Sequence, residues 1–214
     1  MEWYKFDITD MSEDEYDTFY SLMSPYKQER VDRFRFVEDK KRTVAGEMLA
    51  RKAISEMCNV PVETVRFNVS PSGKPFVINL PIEFSISHSG NYAVCAISER
   101  PVGIDIEKIR AVDLNIAQRI CSDDELIWLF GHKPKKEDFL REAYDLFVLF
   151  FGIWTAKEAC FKRQGEKISD YKEINVISIL SQDNYTKLSD RISGEYIVSI
   201  NQCQNFNLFH HSRS

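Results

Sequence analysis

Asp105 and Glu107 are the first residues in this chain whose types and spacing suggest joint chemistry. They lie in Val102-Gly103-Ile104-Asp105-Ile106-Glu107, where the apolar residues recur with the period of two that marks a half-buried strand. Both carboxylates then leave one face, with Cα atoms about 6.5–7 Å apart. Gly103 precedes them on that face and, lacking a side chain, leaves room for something bulky. Two like charges on one face repel, so a fold that keeps both often offers them a cation. A solvated outer face of an amphipathic strand is the other reading.

Three further segments carry reactive side chains. In Trp154-Thr155-Ala156-Lys157-Glu158-Ala159-Cys160-Phe161-Lys162 a helix places Trp154, Glu158 and Lys162 on one stripe. Glu158 is thereby a candidate third carboxylate, unless it only pairs with Lys162 on a surface. Three hard oxygen ligands with no Cys or His beside them suit Mg²⁺ better than Zn²⁺, and Mg²⁺ shares its coordination readily with phosphates. Phe84-Ser85-Ile86-Ser87-His88-Ser89-Gly90 puts small hydroxyls, a histidine and a glycine about an expected turn, where an anion could sit. Ser72-Gly73-Lys74-Pro75 presents a lysine on a rigid turn, and Lys27, Arg30 and Arg42 add cations on the N-terminal helices.

The elements that must position these residues follow from pattern. A strand is expected over residues 3–8. Ser12 and Ser24-Pro25 open helices, and a helix from about Asp39 to Cys58 follows Val44, Met48, Leu49, Ala53, Ile54 and Met57. Val65–Val69 is a short strand. Glu83–Ser87 and Tyr92–Ser98 form a hairpin-like pair joined through His88-Ser89-Gly90-Asn91. After the Asp105 strand come helices around Ile116–Ile120 and Asp123–Phe130, a charged loop at Lys133–Asp138 and a long helix from Phe139 to Gln164. Ile174–Leu180 and Tyr196–Ile200 read as strands; Asn205–Phe209, where Phe206 and Leu208 alternate, is either a further strand or a frayed tail beside an uncovered edge. The order strand, helices, strands occurs twice. That predicts an α+β fold of two similar-sized, pseudo-symmetric lobes meeting near Pro101, each a small antiparallel sheet packed with helices.

The chain has 214 residues, 43% hydrophobic and 29% charged, the make-up of an ordinary soluble globular protein. Its 28 basic and 33 acidic residues give a net charge of −5, which argues against a nucleic-acid partner. Cys58, Cys95, Cys121, Cys160 and Cys203 are odd in number and scattered, as expected of reduced thiols in the cytoplasm. Met1-Glu2-Trp3-Tyr4-Lys5 has no secretory pattern, and the apolar run Leu146–Trp154 is too short to span a bilayer, so no membrane partner is expected.

Taken in order, Ser-His-Ser, Gly-Ile-Asp-Ile-Glu and Trp-x-x-Lys-Glu-Ala-x-x-Lys resemble the Sfp-type 4′-phosphopantetheinyl transferases, and the upstream Gly-Lys-Pro adds to that likeness. The resemblance runs from residue 1 to about residue 200. It implies transfer of the phosphopantetheine arm of coenzyme A to a serine of an acyl or peptidyl carrier protein, with release of 3′,5′-ADP. By motif, Asp105, Glu107 and Glu158 would hold Mg²⁺. Glu158 would also serve as base, and Lys162 would neutralise the pyrophosphate as its bond breaks. His88 would meet the 3′-phosphate, and Lys27, Arg30, Arg42, Thr43, Lys74 and Ser87 would line the rest of the nucleotide site. Residues 1–101 form the expected coenzyme A nucleotide lobe, and 102–214 the lobe of metal ligands and carrier docking. A monomer suffices, because the site forms between its own lobes. The alternatives are a non-catalytic coenzyme A- or carrier-binding protein of the same fold and a generic Mg²⁺-dependent nucleotide hydrolase. The latter is disfavoured because no phosphate-binding glycine-rich loop is present.

Overall fold

A computed structural model of the chain describes residues 1–140, 143–165, 170–177 and 195–201, and the backbone alone of 189–192. The first lobe opens with β1 (Glu2–Asp7), followed by α1 (Glu13–Ser21), α2 (Pro25–Asp32) and α3 (Val37–Cys58). Ser12 and Ser24 cap α1 and α2 through side chains that accept from the amides of Glu15 and Lys27, satisfying donors a helix start leaves orphaned. Helix α3 ends at Asn59 in the left-handed region, with φ of 52°. Four strands complete the lobe: β2 (Phe67–Val69), β3 (Pro75–Val77), β4 (Glu83–Ser89) and β5 (Tyr92–Ser98).

The second lobe contains β6 (Gly103–Lys108), α4 (Ala117–Ile120), α5 (Asp123–Phe130), α6 (Tyr144–Gln164), β7 (Ser189–Ile192) and β8 (Tyr196–Asn201). The sheets run β1-β5-β4, β2-β3 and β6-β8-β7, every pairing antiparallel. The α+β, two-lobed expectation therefore holds.

Several boundaries differ from the sequence reading. His88 and Ser89 belong to β4, where His88 faces Ala93 and Ser89 faces Tyr92. The hairpin turn is only Gly90-Asn91, and Gly90 takes a positive φ of 54°, as a two-residue turn with glycine first requires. Helix α6 begins at Tyr144, not Phe139, which lies in a 3₁₀ turn over Lys136–Leu140. Ile174–Val176 are not in a strand: Ile174 and Val176 are buried, but the Val176 amide bonds the Glu125 carboxylate instead of a neighbouring strand. Ile177 is not in a strand either, its amide bonding the Asn175 side chain; residues 178–180 of that expected strand and the whole of 205–209 lie outside the described residues.

Each lobe has its own core. One packs α3 (Val44, Met48, Ile54) against Phe84 and Ile97, and the other packs Phe150, Phe151 and Ile153 of α6 around Leu114 and Ile174. A third cluster joins the lobes, with Val94 and Ala96 of β5 against Ile104, Ile106 and Val198. Strand β5 is thus buried on both faces, its odd residues Ala93, Cys95 and Ile97 facing α3 and its even ones facing the second sheet. This apolar seam brings β4 and β6 side by side.

Candidate active site

Where β4 meets β6, serine side chains make the join. Ser85, Ser87 and Ser89 alternate along β4 and so share one face. The Ser85 hydroxyl accepts from the Ile104 amide at 3.1 Å, Ser87 donates to Asp105 Oδ1 at 2.7 Å, and Ser89 donates to Glu107 Oε2 at 3.0 Å. Asp105 and Glu107 therefore do leave the same face of β6, and that face looks across the lobe boundary rather than into bulk water. The sequence reading grouped the serines of this segment but gave a binding role to Ser87 alone; the structure ties all three to β6.

Helix α6 lies along β6, and Gly103 is the reason it can. A Cβ there would stand 1.9 Å from the Ala159 carbonyl oxygen and 2.5 Å from the Arg163 amide nitrogen. The room left by Gly103 is taken by helix backbone, not by a ligand. This close approach sets Glu158 and Lys162 beside Asp105. Lys162 Nζ donates to Asp105 Oδ1 at 2.6 Å and to the Ser87 hydroxyl at 2.9 Å. Glu158 Oε1 accepts from the Tyr171 hydroxyl at 2.5 Å.

Asp105 is 5% exposed, and its Oδ2 is buried without a hydrogen-bond partner. Burial raises its carboxyl above the ordinary carboxylate range, the Lys162 ammonium and the Ser87 hydroxyl oppose that rise, and the nearby Glu158 charge adds to it. A buried carboxylate oxygen left unbonded is costly unless a cation or water meets it.

Mg²⁺ is the ion the motif resemblance implies. Among the described residues no three His, Cys, Asp or Glu side chains stand together as an ion cage. The donors present nevertheless fit Mg²⁺, which takes one or two carboxylates and completes its shell with water and substrate phosphate. Asp105 offers the unpartnered Oδ2, and Glu158 stands close enough for its charge to act on Asp105. Glu107 is placed differently, its Oε2 bonded by Ser89 and by Arg110 at 3.1 Å.

The expected substrate contacts divide into two groups. His88, Arg42 and Lys162 gather: burial, then the Lys162 and Arg42 charges, hold the His88 imidazole below its usual 6.5, although the residue as a whole is exposed. Arg42 reaches from α3 to the Gly90 carbonyl at 2.6 Å and pairs with Asp39, whose carbonyl also accepts from Thr43. Lys74 approaches from the other side, its ammonium 3.1 Å from the Arg163 carbonyl at the end of α6, and burial lowers its pKa. Lys27 instead turns inward to Glu47 at 2.7 Å, beside the Glu47–Arg51 pair, and Arg30 is exposed on α2. A cavity of about 530 Å³ opens next to Glu158 and Lys162, bounded by Lys74, Phe84, Ile86 and Phe161.

Known family models cover both lobes. The 4′-phosphopantetheinyl transferase N-terminal family model matches residues 10–100, and the 4′-phosphopantetheinyl transferase superfamily model matches residues 101–206. The chain belongs to the Sfp-type 4′-phosphopantetheinyl transferase family. It is 40% identical over 163 residues to 4′-phosphopantetheinyl transferase psf-1 of Bacillus pumilus, covering 76% of this chain and 66% of that one. It is 35% identical over 161 residues to Sfp of Bacillus subtilis strain 168, covering 74% and 67%. Against gsp of Aneurinibacillus migulanus the identity is 38% over 146 residues, covering 68% and 57%. The matched region thus spans about two thirds or less of these relatives' lengths. In this chain, the motif residues Asp105, Ser87, Glu158 and Lys162 form one cluster at the lobe boundary.

Sequence reasoning missed a buried pair behind the cluster. Lys157 and Glu125 lie 2.6 Å apart with neither side chain exposed. The lysine also donates to the Ile120 and Tyr171 carbonyls, and the glutamate accepts from the Ser122 and Val176 amides. Glu125 forms a capping box with Ser122, but nothing in the sequence spacing points from it to Lys157.

Proposed function

We propose that this chain transfers the 4′-phosphopantetheine arm of coenzyme A to a serine hydroxyl of an acyl or peptidyl carrier protein. The serine oxygen bonds to the phosphorus that carries pantetheine, the bridging P–O bond breaks, and 3′,5′-ADP leaves with the electron pair. The observation that carries this reading is the Asp105–Lys162–Ser87 cluster, with an unpartnered Asp105 oxygen beside Glu158. Such a transfer asks a protein mainly for positioning and for charge neutralisation.

Each residue then has a task. Lys162 Nζ offers positive charge where the pyrophosphate divides. Glu158 receives the serine proton, directly or through a water. Arg42 and His88 bind the 3′-phosphate end, and Lys74 closes the far side of the cavity. Lys27 and Arg30, which the motif resemblance also assigned to nucleotide binding, act there only if Lys27 leaves Glu47. Asp105 and Glu158, with Glu107 as the third ligand the resemblance implies, would hold Mg²⁺, which supplies Lewis-acid neutralisation of the pyrophosphate. We further read residues 1–101 as the nucleotide lobe and 102–214 as the lobe of metal ligands and carrier docking, in a cytoplasmic monomer. No described helix is long and apolar enough to cross a membrane.

The test follows the nucleotide product. Coenzyme A, Mg²⁺ and the protein, incubated with and without an apo carrier protein, should give 3′,5′-ADP only when the carrier is present. Release without a carrier would indicate a hydrolase. Coenzyme A binding with no product in either tube would indicate a binding protein of the same fold.

A further inference from the structure

Tyr171 is held through its ring, its carbonyl and its hydroxyl, and each of these holds comes from one stripe of α6. Its ring stacks on Trp154, with centroids 5.8 Å apart and planes 26° from parallel, and meets Phe161 edge-on at 5.4 Å. Its carbonyl accepts from Lys157 Nζ at 2.8 Å. Its hydroxyl donates to Glu158 Oε1 at 2.5 Å. Residues 154, 157, 158 and 161 fall at i, i+3, i+4 and i+7, a single helical face. Lys157 is itself fixed by the buried Glu125.

We infer that Tyr171 is a positioning residue for the transfer, whose hydroxyl fixes the rotamer of Glu158 and leaves Oε2 as the oxygen presented to the reaction. This rests on the phosphopantetheinyl-transfer reading of the site. A glutamate side chain has three rotatable bonds and, at a cavity wall, samples several rotamers. One short hydrogen bond to Oε1, from a ring that stacking and a carbonyl clamp already immobilise, removes that freedom. Trp154 and Lys157 then act on the reaction through Tyr171, although neither carries a charge or nucleophile to the substrate. Among the described residues Tyr171 is the one that bonds Glu158. Its signal in the sequence was absent, because residue 171 follows the helix by a connection whose length does not report where it returns.

Tyr171→Phe tests this, because it keeps the ring in its stack and deletes only the hydroxyl. Three readouts are taken on the full chain: steady-state transfer to a carrier, the coenzyme A KM, and the carboxyl ¹³C resonance of Glu158, assigned by its loss in Glu158→Gln. The inference predicts a fall in kcat of about tenfold or more, since misplacing a reacting group is costly to rate. It also predicts a coenzyme A KM within about twofold of wild type, and a shifted Glu158 resonance. Unchanged kcat, or a raised KM with kcat intact, overturns it. If the wild-type chain transfers nothing, the transferase reading fails, and the resonance still decides this contact: an unmoved Glu158 signal overturns it. Should Tyr171→Phe not fold, a Glu158→Gln variant in which the Tyr171 ring resonances are unmoved overturns it equally.

Discussion

Gly103→Ala is the perturbation whose consequence the geometry fixes most tightly. The added methyl would lie 1.9 Å from the Ala159 oxygen, 2.5 Å from the Arg163 nitrogen and 2.9 Å from the Ala159 carbon. All three are backbone atoms of α6, so no side chain can swing aside. Restoring ordinary contact needs β6 and α6 to separate by about 1.5 Å. Overpacking of this kind costs about 1–3 kcal/mol where neighbours can yield, and the rigid backbone here puts the variant at or beyond the upper end. The same separation would stretch the 2.6 Å Lys162–Asp105 contact beyond hydrogen-bonding distance. A misplacement of about 1 Å can cost about 10²-fold in rate, so transfer should fall at least that far even at temperatures where the variant stays folded. Urea denaturation gives the stability change, and carrier modification at 15–20 °C gives the rate. A folded Gly103→Ala protein with wild-type midpoint and rate would refute the claim that this glycine sets α6 against β6 and so places Lys162 beside Asp105.

Other expectations follow from the same geometry. Lys157→Met strands the Glu125 charge in the core and should cost about 3–5 kcal/mol by chemical denaturation, while the double variant Lys157→Met/Glu125→Leu should recover part of the loss. Lys162→Met should lower carrier modification by about 10²-fold or more by removing the charge at the pyrophosphate, with coenzyme A still bound in equilibrium dialysis. His88 has a native pKa below its usual 6.5, so the unfolded chain takes up that proton first. His88 therefore costs stability as pH falls from about 6.5 through its lowered value, and nothing at pH 8. His88→Asn should show a shallower loss of melting temperature between pH 7 and 5 than wild type; equal slopes would contradict the assignment.

Much of the site could be read from local pattern because local pattern controls direction. A period of two put Asp105 and Glu107 on one face, and a period of 3.6 put Trp154, Glu158 and Lys162 on one stripe; both placements match the structure. Serine caps marked the starts of α1 and α2 for the same reason. What stayed hidden depends on how elements approach one another. Gly103 looked like space for a ligand, and only the packing of α6 shows that a helix fills it. Lys27 looked like one more surface cation, yet Glu47, twenty residues on, draws it inward. The two-residue hairpin moved His88 off the turn into β4, because Gly90 alone supplies the positive φ. Tyr171 and the Glu125–Lys157 pair act across connections whose path no periodicity encodes.

The central claim meets its most direct test in the intact mass of an apo carrier protein after incubation with coenzyme A, Mg²⁺ and this chain, run beside Asp105→Asn. The account predicts that the wild-type reaction adds one phosphopantetheine, mapped to a serine by peptide fragmentation, and that the folded variant adds none. A carrier left at its starting mass by the wild type, or modified equally by Asp105→Asn, would contradict it.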